Sequence, residues 1–177
     1  MASLAERMLG AAKLDVRTYE EVEGDAGATP QALIVVLISS VAAGIGALGV
    51  GGISVLIWSS VAALVGWIVW AALIWVIGTK LLPEPQTKSD IPELLRTTGF
   101  AASPGIVRIL GIIPYIGWLL ALLAAIWMLV AMIIAVRQAL DYQSTARAIG
   151  VCIIGWIISM VVFWLLMPKG LIGGFGI

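Results

Sequence analysis

The chain has 177 residues, of which 62% are hydrophobic and only 11% are charged, and its formal net charge is zero. A soluble domain of this size would be about a quarter charged, and a neutral chain offers no basic surface to nucleic acid. One cysteine and no histidine exclude the usual zinc and haem sites. We therefore expect an all-α integral membrane protein that binds no cofactor and no nucleic acid.

The first 30 residues are mostly polar and form a segment of their own, which we assign to the cytoplasm. Leu4 and Met8 fall on the apolar face of a modestly amphipathic helix. Such a helix either lies in the plane of the leaflet or packs on the end of a bundle. The acidic stretch that follows contains Glu20, Glu21 and Glu23. These carboxylates are simply solvated, part of a docking surface for a basic partner, or a loose site for a divalent cation, for which the spacing of an EF-hand is missing.

Apolar runs near or above the roughly 20 residues that cross a bilayer fill most of the remaining chain. We predict a membrane domain over 31–168 with spans at about 32–50, 53–78, 94–113, 115–136 and 148–167, followed by a glycine-rich tail, 169–177. The first span is expected to end at a turn over residues 49–52.

The third span is the least regular of the five. It is only moderately apolar, and a proline near its middle predicts a broken helix. The residues of the break are Gly99, Phe100, Ser103 and Pro104. The proline leaves the carbonyl near Phe100 without a helical N–H, and the Ser103 hydroxyl or a neighbouring threonine is placed to satisfy it. The alternative is a helix lying on the membrane surface.

The distribution of arginine and lysine between the two sides of the membrane distinguishes a crossing third segment from one that lies on the surface. If the third segment crosses, eight arginines and lysines lie on one side: Arg7, Lys13, Arg17, Lys80, Lys88, Arg96, Arg137 and Arg147. If it does not cross, Arg137 and Arg147 move to the other side and the bias largely disappears. Cytoplasmic loops carry the excess of positive residues. We therefore predict five crossings, with the N-terminus in the cytoplasm and the C-terminus outside.

Within the predicted bundle, Trp67 and Trp70 are expected to pack between helices, and Cys152 is expected to behave as a small buried hydrophobe. In the connection between the fourth and fifth spans we expect an ion pair between Arg137 and Asp141 at four-residue spacing. Ser144 or Thr145 is expected to cap the fifth span.

The middle of the chain carries three motifs in order. Residues 94–104, LLRTTGFAASP, place a glycine–aromatic pair before a small residue and a proline; Ile112–Ile113–Pro114 precede a tryptophan-containing fourth span; and a short polar connection, 138–147, leads into the fifth. Together, over residues 30–167, they resemble the Yip family (Ypt-interacting-protein domain). The resemblance implies a five-span membrane fold and, because the chain resembles the prokaryotic branch, a place in the plasma membrane, but it implies no activity.

Two functions fit the sequence. The first is a non-enzymatic scaffold or accessory subunit that packs against other membrane proteins or a second copy of itself, or organises lipid. Its candidate cytoplasmic partner surface comprises Glu20, Glu21, Glu23, Arg137, Asp141 and Arg147.

The second function is a carrier for a lipid or hydrophobic small molecule, gated at the Pro104 break and using a cavity beside Ser103–Arg108. Arg108 either snorkels to headgroups or contacts a lipid phosphate or a partner carboxylate. The four regular spans have no charged residue in their interiors, and we find no pair of residues typical of acid–base or nucleophilic catalysis. We therefore expect no enzyme and no metal site.

Overall fold

The computed structural model describes residues 2–166, and for residues 48–55 and 163–166 it describes the backbone alone. All regular structure in this part of the chain is helical, as predicted. The α-helices are α1 (Leu4–Ala12), α2 (Val16–Gly24), α3 (Ala28–Gly46), α4 (Leu48–Val76), α5 (Ile91–Phe100), α6 (Gly117–Ala139) and α7 (Thr145–Leu166). A π-helical turn, Ile77–Leu81, extends α4, and a 3₁₀ helix, Ser103–Ile112, follows α5. The predicted tail, 169–177, lies outside the described residues.

Four helices in the described residues are long and apolar enough to cross a membrane: Ala28–Gly46, Leu56–Leu81, Gly117–Ala139 and Thr145–Val162. The chain is therefore a multi-pass membrane protein, as its apolar runs predict. The predicted third span, 94–113, consists of α5 and the 3₁₀ helix, each of 10 residues. Neither alone reaches the roughly 20 residues of a crossing, so the fifth crossing stays a prediction.

The connection between α3 and α4 lies earlier in the chain than expected. α3 ends at Gly46 and α4 begins at Leu48, so Ala47 alone joins them. The expected turn, residues 49–52, instead falls in the first turns of α4. A non-helical stretch in lipid leaves backbone N–H and C=O groups without partners, which favours continued helix even through a glycine-rich sequence.

Short polar motifs set the starts of the helices outside the apolar runs. Ser3 accepts a hydrogen bond from the N–H of Glu6, while the Glu6 carboxylate accepts one from the N–H of Ser3. This reciprocal pair begins α1. Asp90 and Glu93 form the same arrangement at the start of α5, and Asp15 caps α2. The caps fix where α2 and α5 begin, and these two helices contact each other.

The predicted third span runs parallel to α3. Three pairs of residues touch in order along the two segments: Gly99 with Ala32, Gly105 with Ser39, and Gly111 with Gly46. The residue numbers of the contacting pairs increase together along both segments, so the two segments are parallel. From Ala32 to Gly46, α3 rises about 21 Å at 1.5 Å per residue. The end of α5 and the 3₁₀ helix together therefore follow α3 over most of the length of α3.

Two buried apolar clusters hold the helices together. One joins α4, α5, α6 and α7, and it includes Ile74, Leu94 and Cys152. The other joins α1, α2 and α3 to the end of α5 and to α6, through Phe100 and Ala131. The burial of Cys152 confirms the prediction made for it. The second cluster shows that the N-terminal helices pack on the bundle, which is one of the two expected arrangements.

The connections between helices divide between the two ends of the bundle. Gln138 hydrogen-bonds to Glu20, and Arg147 hydrogen-bonds to Pro83. These contacts bring α2, the 82–90 loop and the 140–144 loop to one end, which we term the polar end. At the distal end, Ala47 and the 113–116 loop make the connections.

Candidate functional site

A buried arginine fixes the two N-terminal helices to each other and to α3. The Arg7 side chain is 2% exposed, and its guanidinium lies 2.9 Å from the Glu21 carboxylate and 2.6 Å from that of Asp25. It also donates to Oε1 of Gln31 in the first turns of α3, at 3.0 Å. The hydrogen bond from Arg7, with a second from the N–H of Gly27, lowers the pKa of Asp25. Arg7 thus joins three helices through charge-assisted hydrogen bonds.

A second buried arginine ties α2 to α5. Arg96 is 7% exposed, and its guanidinium donates to the carbonyl of Val22 at 3.1 Å and to the carbonyl of Glu23. Both carbonyls lie in the last turn of α2, where the helix has no further N–H groups to satisfy them and where positive charge is favourable. Arg96 therefore serves as a C-terminal cap that α5 supplies to α2.

Glu84 links the two loops of the polar end. Its carboxylate accepts a hydrogen bond from the N–H of Gln143 at 2.9 Å and pairs with Arg147 at 3.4 Å. The bond from Gln143, followed by smaller contributions from Gln86 and Ser144, lowers the pKa of Glu84. Glu84 is therefore charged at neutral pH and holds the loops together.

Tyr142 secures the same junction from within. Its hydroxyl lies 2.9 Å from the carbonyl of Gly78 and 2.7 Å from that of Leu82. These carbonyls belong to the π-helical turn that ends α4 and to the residue after it, where the regular helical bonding pattern is interrupted. Burial raises the pKa of Tyr142 to about 12, so the hydroxyl remains a donor at neutral pH.

These contacts leave a polar cavity of about 320 Å³ between α2, the end of α6 and the loop after α6. It is lined by Glu20, Glu23, Arg137, Gln138, Asp141, Tyr142 and Gln143. Four of the six residues predicted for the partner surface therefore lie together: Glu20, Glu23, Arg137 and Asp141. We term α1, α2 and the 82–90 and 140–144 loops the platform, and this space the platform cavity.

Glu23 gives the platform cavity a charge that changes near neutral pH. Burial, and then the nearby carboxylates of Asp141 and Glu93, raise its pKa to about 7, against the opposing effect of Arg96. The side chain is therefore close to half protonated at neutral pH, and it gains negative charge as the pH rises.

The two other predicted surface residues point elsewhere, and one predicted ion pair is wrong. Glu21 is engaged by Arg7, and Arg147 by Glu84. Among the ion pairs of the described residues, none joins Arg137 to Asp141. Asp141 has a φ of 54°, which takes it off the helix, and Arg137 instead donates to the carbonyl of Tyr142 at 3.2 Å. The geometry of the helix end thus overrides the four-residue spacing.

The residues of the predicted break are buried mainly against α3 and α6, and Gly99 also meets Trp67 of α4. The Ser103 hydroxyl donates to the carbonyl of Phe100 at 2.7 Å, so it satisfies the group predicted to lose its helical partner at Pro104. Gly99 packs so closely that a Cβ there would lie 2.8 Å from that of Ala32. Phe100 and Pro104 are also buried.

Trp67 of α4 reaches the same segment. Its indole N–H donates to the carbonyl of Leu95 and to the hydroxyl of Thr98, both at 3.2 Å. This confirms that Trp67 packs between helices.

Arg108 hydrogen-bonds within the bundle. Its guanidinium lies 3.1 Å from the hydroxyl and 3.3 Å from the carbonyl of Ser39 in α3. Contact with a lipid phosphate or a partner carboxylate stays a prediction. No residue of Ser103–Arg108 lines the platform cavity or a larger apolar cavity between α4, α6 and α7. The carrier hypothesis, which requires a cavity beside these residues, gains no support from either.

A comparison with known protein families identifies the family of the chain. Residues 16–167 match the family model of the Yip1 domain. The chain belongs to the Yip1 domain family. No curated protein and no solved structure matches the chain. Membership gives the chain a membrane-associated role in a generally non-enzymatic family.

In the described part of this Yip1 domain, the polar side chains at the polar end form hydrogen bonds and ion pairs that join helices and loops. Within the described residues, no group of three or more His, Cys, Asp and Glu side chains is placed to hold a metal ion. The structural roles of Arg7, Arg96 and Tyr142 were not foreseen from the sequence. Arg7 and Arg96 resemble ordinary surface cations in the sequence, and their partners lie on other helices. Only Tyr142 gave an indication in the sequence, because an aromatic residue stands in the short connection between Arg137 and Arg147.

Proposed function

We propose that this Yip1 domain is a non-enzymatic membrane scaffold that presents the platform to a protein partner in the cytoplasm. The observation that supports this function is the set of hydrogen bonds and ion pairs that joins the parts of the platform. Arg7, Arg96 and Glu84 fix segments that are far apart in sequence into one polar surface. A preformed surface binds without first losing the entropy of ordering its loops.

The proposed topology places the platform on the cytoplasmic side. The predicted third span runs parallel to α3, which supports a fifth crossing in the direction of α3. With five crossings, Arg96, Arg137 and Arg147 lie on one side together with the N-terminal helices, as the positive-inside rule favours. The C-terminus then lies outside. Location in a prokaryotic plasma membrane stays a prediction from the sequence resemblance.

A photo-crosslinking amino acid tests the scaffold function in intact cells. Placed at the exposed Gln143 on the platform, it is expected to capture a defined protein. The matched control is the same amino acid at Tyr115, which is 95% exposed at the distal end. Asp141→Asn removes a charge at the rim and keeps a residue type that tolerates the positive φ of this position. It is expected to lower the yield at position 143 roughly fivefold, with unchanged thermal unfolding. Absence of a defined adduct at 143, or the same adducts at 143 and 115, contradicts the proposal.

A further inference from the structure

The helices α1 and α2 form a hairpin, and the chain reverses direction at Leu14. Leu14 has a φ of 63°, the left-handed conformation in which many helices end. The hydroxyl of Tyr19, which is fully buried, donates to the carbonyl of Ala11 at 3.1 Å. The two helices are therefore bonded to each other across the reversal. We term residues 9–17 the hairpin tip.

The hairpin tip lies beside the apolar part of α6. At the other end of the hairpin, Glu20 accepts a hydrogen bond from Gln138, near the end of α6. At the tip, the carbonyl of Ala12 accepts one from the indole N–H of Trp127 at 2.8 Å. Trp127 precedes Gln138 by 11 residues, which is about 16 Å along a helix. The tip therefore lies at the level of the membrane, whereas Glu20 lies at the polar end.

The acidic and basic residues of the hairpin are separated along its length. Most of its carboxylates lie away from the tip and accept hydrogen bonds from the protein: Glu6, Glu20, Glu21 and Asp25. Asp15 lies at the tip, where it accepts from the N–H of Arg17 at 3.1 Å and so caps α2. The side chains of Lys13 and Arg17 are exposed, and none of the ion pairs among the described residues includes either of them. The tip therefore presents two cations without a carboxylate partner.

Exposed apolar side chains accompany these cations. Leu9, four residues before Lys13 on the same face of α1, is 56% exposed. Val16, beside Arg17, is 39% exposed. Burial of such apolar side chains in lipid is favourable, while long basic side chains keep their charge at the headgroups. Basic and apolar residues in one small surface are typical of segments that enter the membrane interface. Because the tip already lies at the level of the membrane, lipid is the occupant that fits it.

We propose that the hairpin tip enters the cytoplasmic leaflet and binds anionic phospholipid. Lys13 and Arg17 donate charge-assisted hydrogen bonds to lipid phosphates. Leu9 and Val16 contact the acyl chains. The negative surface potential of the cytoplasmic leaflet attracts basic residues beside a membrane domain. The choice of leaflet rests on the proposed topology, whereas lipid binding at the tip requires no protein partner.

Spin labelling of the full chain in nanodiscs of mixed phosphatidylcholine and phosphatidylglycerol tests the position of the tip. A nitroxide is attached to Leu9→Cys in a Cys152→Ala background, which removes the single native cysteine. The matched control carries the label at Gly24→Cys, an exposed site at the other end of the hairpin where a Cβ meets no atom within 4 Å. The label at position 9 is expected to collide several-fold more often with oxygen, which concentrates in lipid, than with an aqueous nickel chelate. The label at position 24 is expected to show the reverse.

Native mass spectrometry of the full chain tests the choice of headgroup. The wild-type chain is expected to bind phosphatidylglycerol roughly tenfold more tightly than phosphatidylcholine with the same acyl chains. Lys13→Gln and Arg17→Gln are each expected to lower this preference roughly threefold, with unchanged thermal unfolding. Lys88→Gln removes an exposed cation from the 82–90 loop and is expected to keep the preference.

Equal affinity of the wild-type chain for the two lipids overturns the proposal, as does an unchanged preference in both Lys13→Gln and Arg17→Gln. An equal loss in Lys88→Gln attributes the preference to net charge and has the same consequence. A label at position 9 that meets the nickel chelate as often as the label at position 24 places the tip outside lipid and also overturns it. Crosslinking at Gln143 is measured separately, so a failure of lipid binding is distinguishable from a failure of the scaffold function.

Discussion

Replacing Arg7 with methionine is expected to release α1 and α2 from the membrane domain while the apolar helices stay folded. The substitution leaves the carboxylates of Glu21 and Asp25 without their shared cation. Loss of one partner of a buried pair costs about 3–5 kcal/mol. The Glu21 and Asp25 side chains are 43% and 24% exposed, so solvent screens the pair and the expected cost is lower than that of a fully buried pair. Hydrogen exchange measures the effect as loss of protection over residues 4–24.

Arg17→Met is the matched control for this experiment. Arg17 is an exposed residue of α2, and its replacement removes the same charge and introduces the same side chain. Exchange in this variant is expected to match the wild type. Wild-type protection of residues 4–24 in Arg7→Met contradicts the role assigned to Arg7, and an equal loss in both variants attributes the effect to net charge.

Replacing Gly46 with alanine is expected to separate α3 from the 3₁₀ helix at the distal end. A Cβ at Gly46 would overlap the carbonyl oxygen of Arg108 and lie 3.4 Å from the Cα of Gly111. Both neighbours are backbone atoms, so no side-chain rotation relieves the overlap. Overpacking of this kind costs about 1–3 kcal/mol, and we expect a value near the upper end. The unfolding midpoint in detergent measures the loss.

Gly66→Ala provides the comparison, because a Cβ at Gly66 meets no atom within 4 Å. Alanine is favoured over glycine inside a helix by about 0.5–1 kcal/mol. The control is therefore expected to be as stable as the wild type or slightly more so. Equal unfolding midpoints for Gly46→Ala and Gly66→Ala would contradict the close contact between Gly46 and the backbone of the 3₁₀ helix.

The sequence predicted the features that depend on near neighbours in the chain. The apolar runs predicted the membrane helices because length and hydropathy alone decide whether a helix can cross. The position of Ser103 beside Pro104 predicted the hydrogen bond to Phe100 because both groups lie within one turn. One feature that joins distant segments was also predicted, because loops expected on the same side of the membrane share one surface: Glu20, Glu23, Arg137 and Asp141 lie together.

Features that depend on tertiary contacts were not predictable. Arg7 is buried because α2 folds back over α1, and no periodicity in a nine-residue helix indicates that reversal. The Arg137–Asp141 pair fails because the chain leaves α6 at Asp141 with a positive φ. The glycines at 49–52 were read as a turn because they favour turns in water, whereas lipid favours helix.

The compartments of the two chain ends test the central claim most directly, which is that α5 and the 3₁₀ helix cross the membrane beside α3. Tags fused to the N- and C-termini of the full chain are probed with a membrane-impermeant reagent before and after permeabilisation. Five crossings place the N-terminal tag in the cytoplasm and the C-terminal tag outside. Two tags in one compartment would mean an even number of crossings and would contradict both the topology and the cytoplasmic surface built upon it.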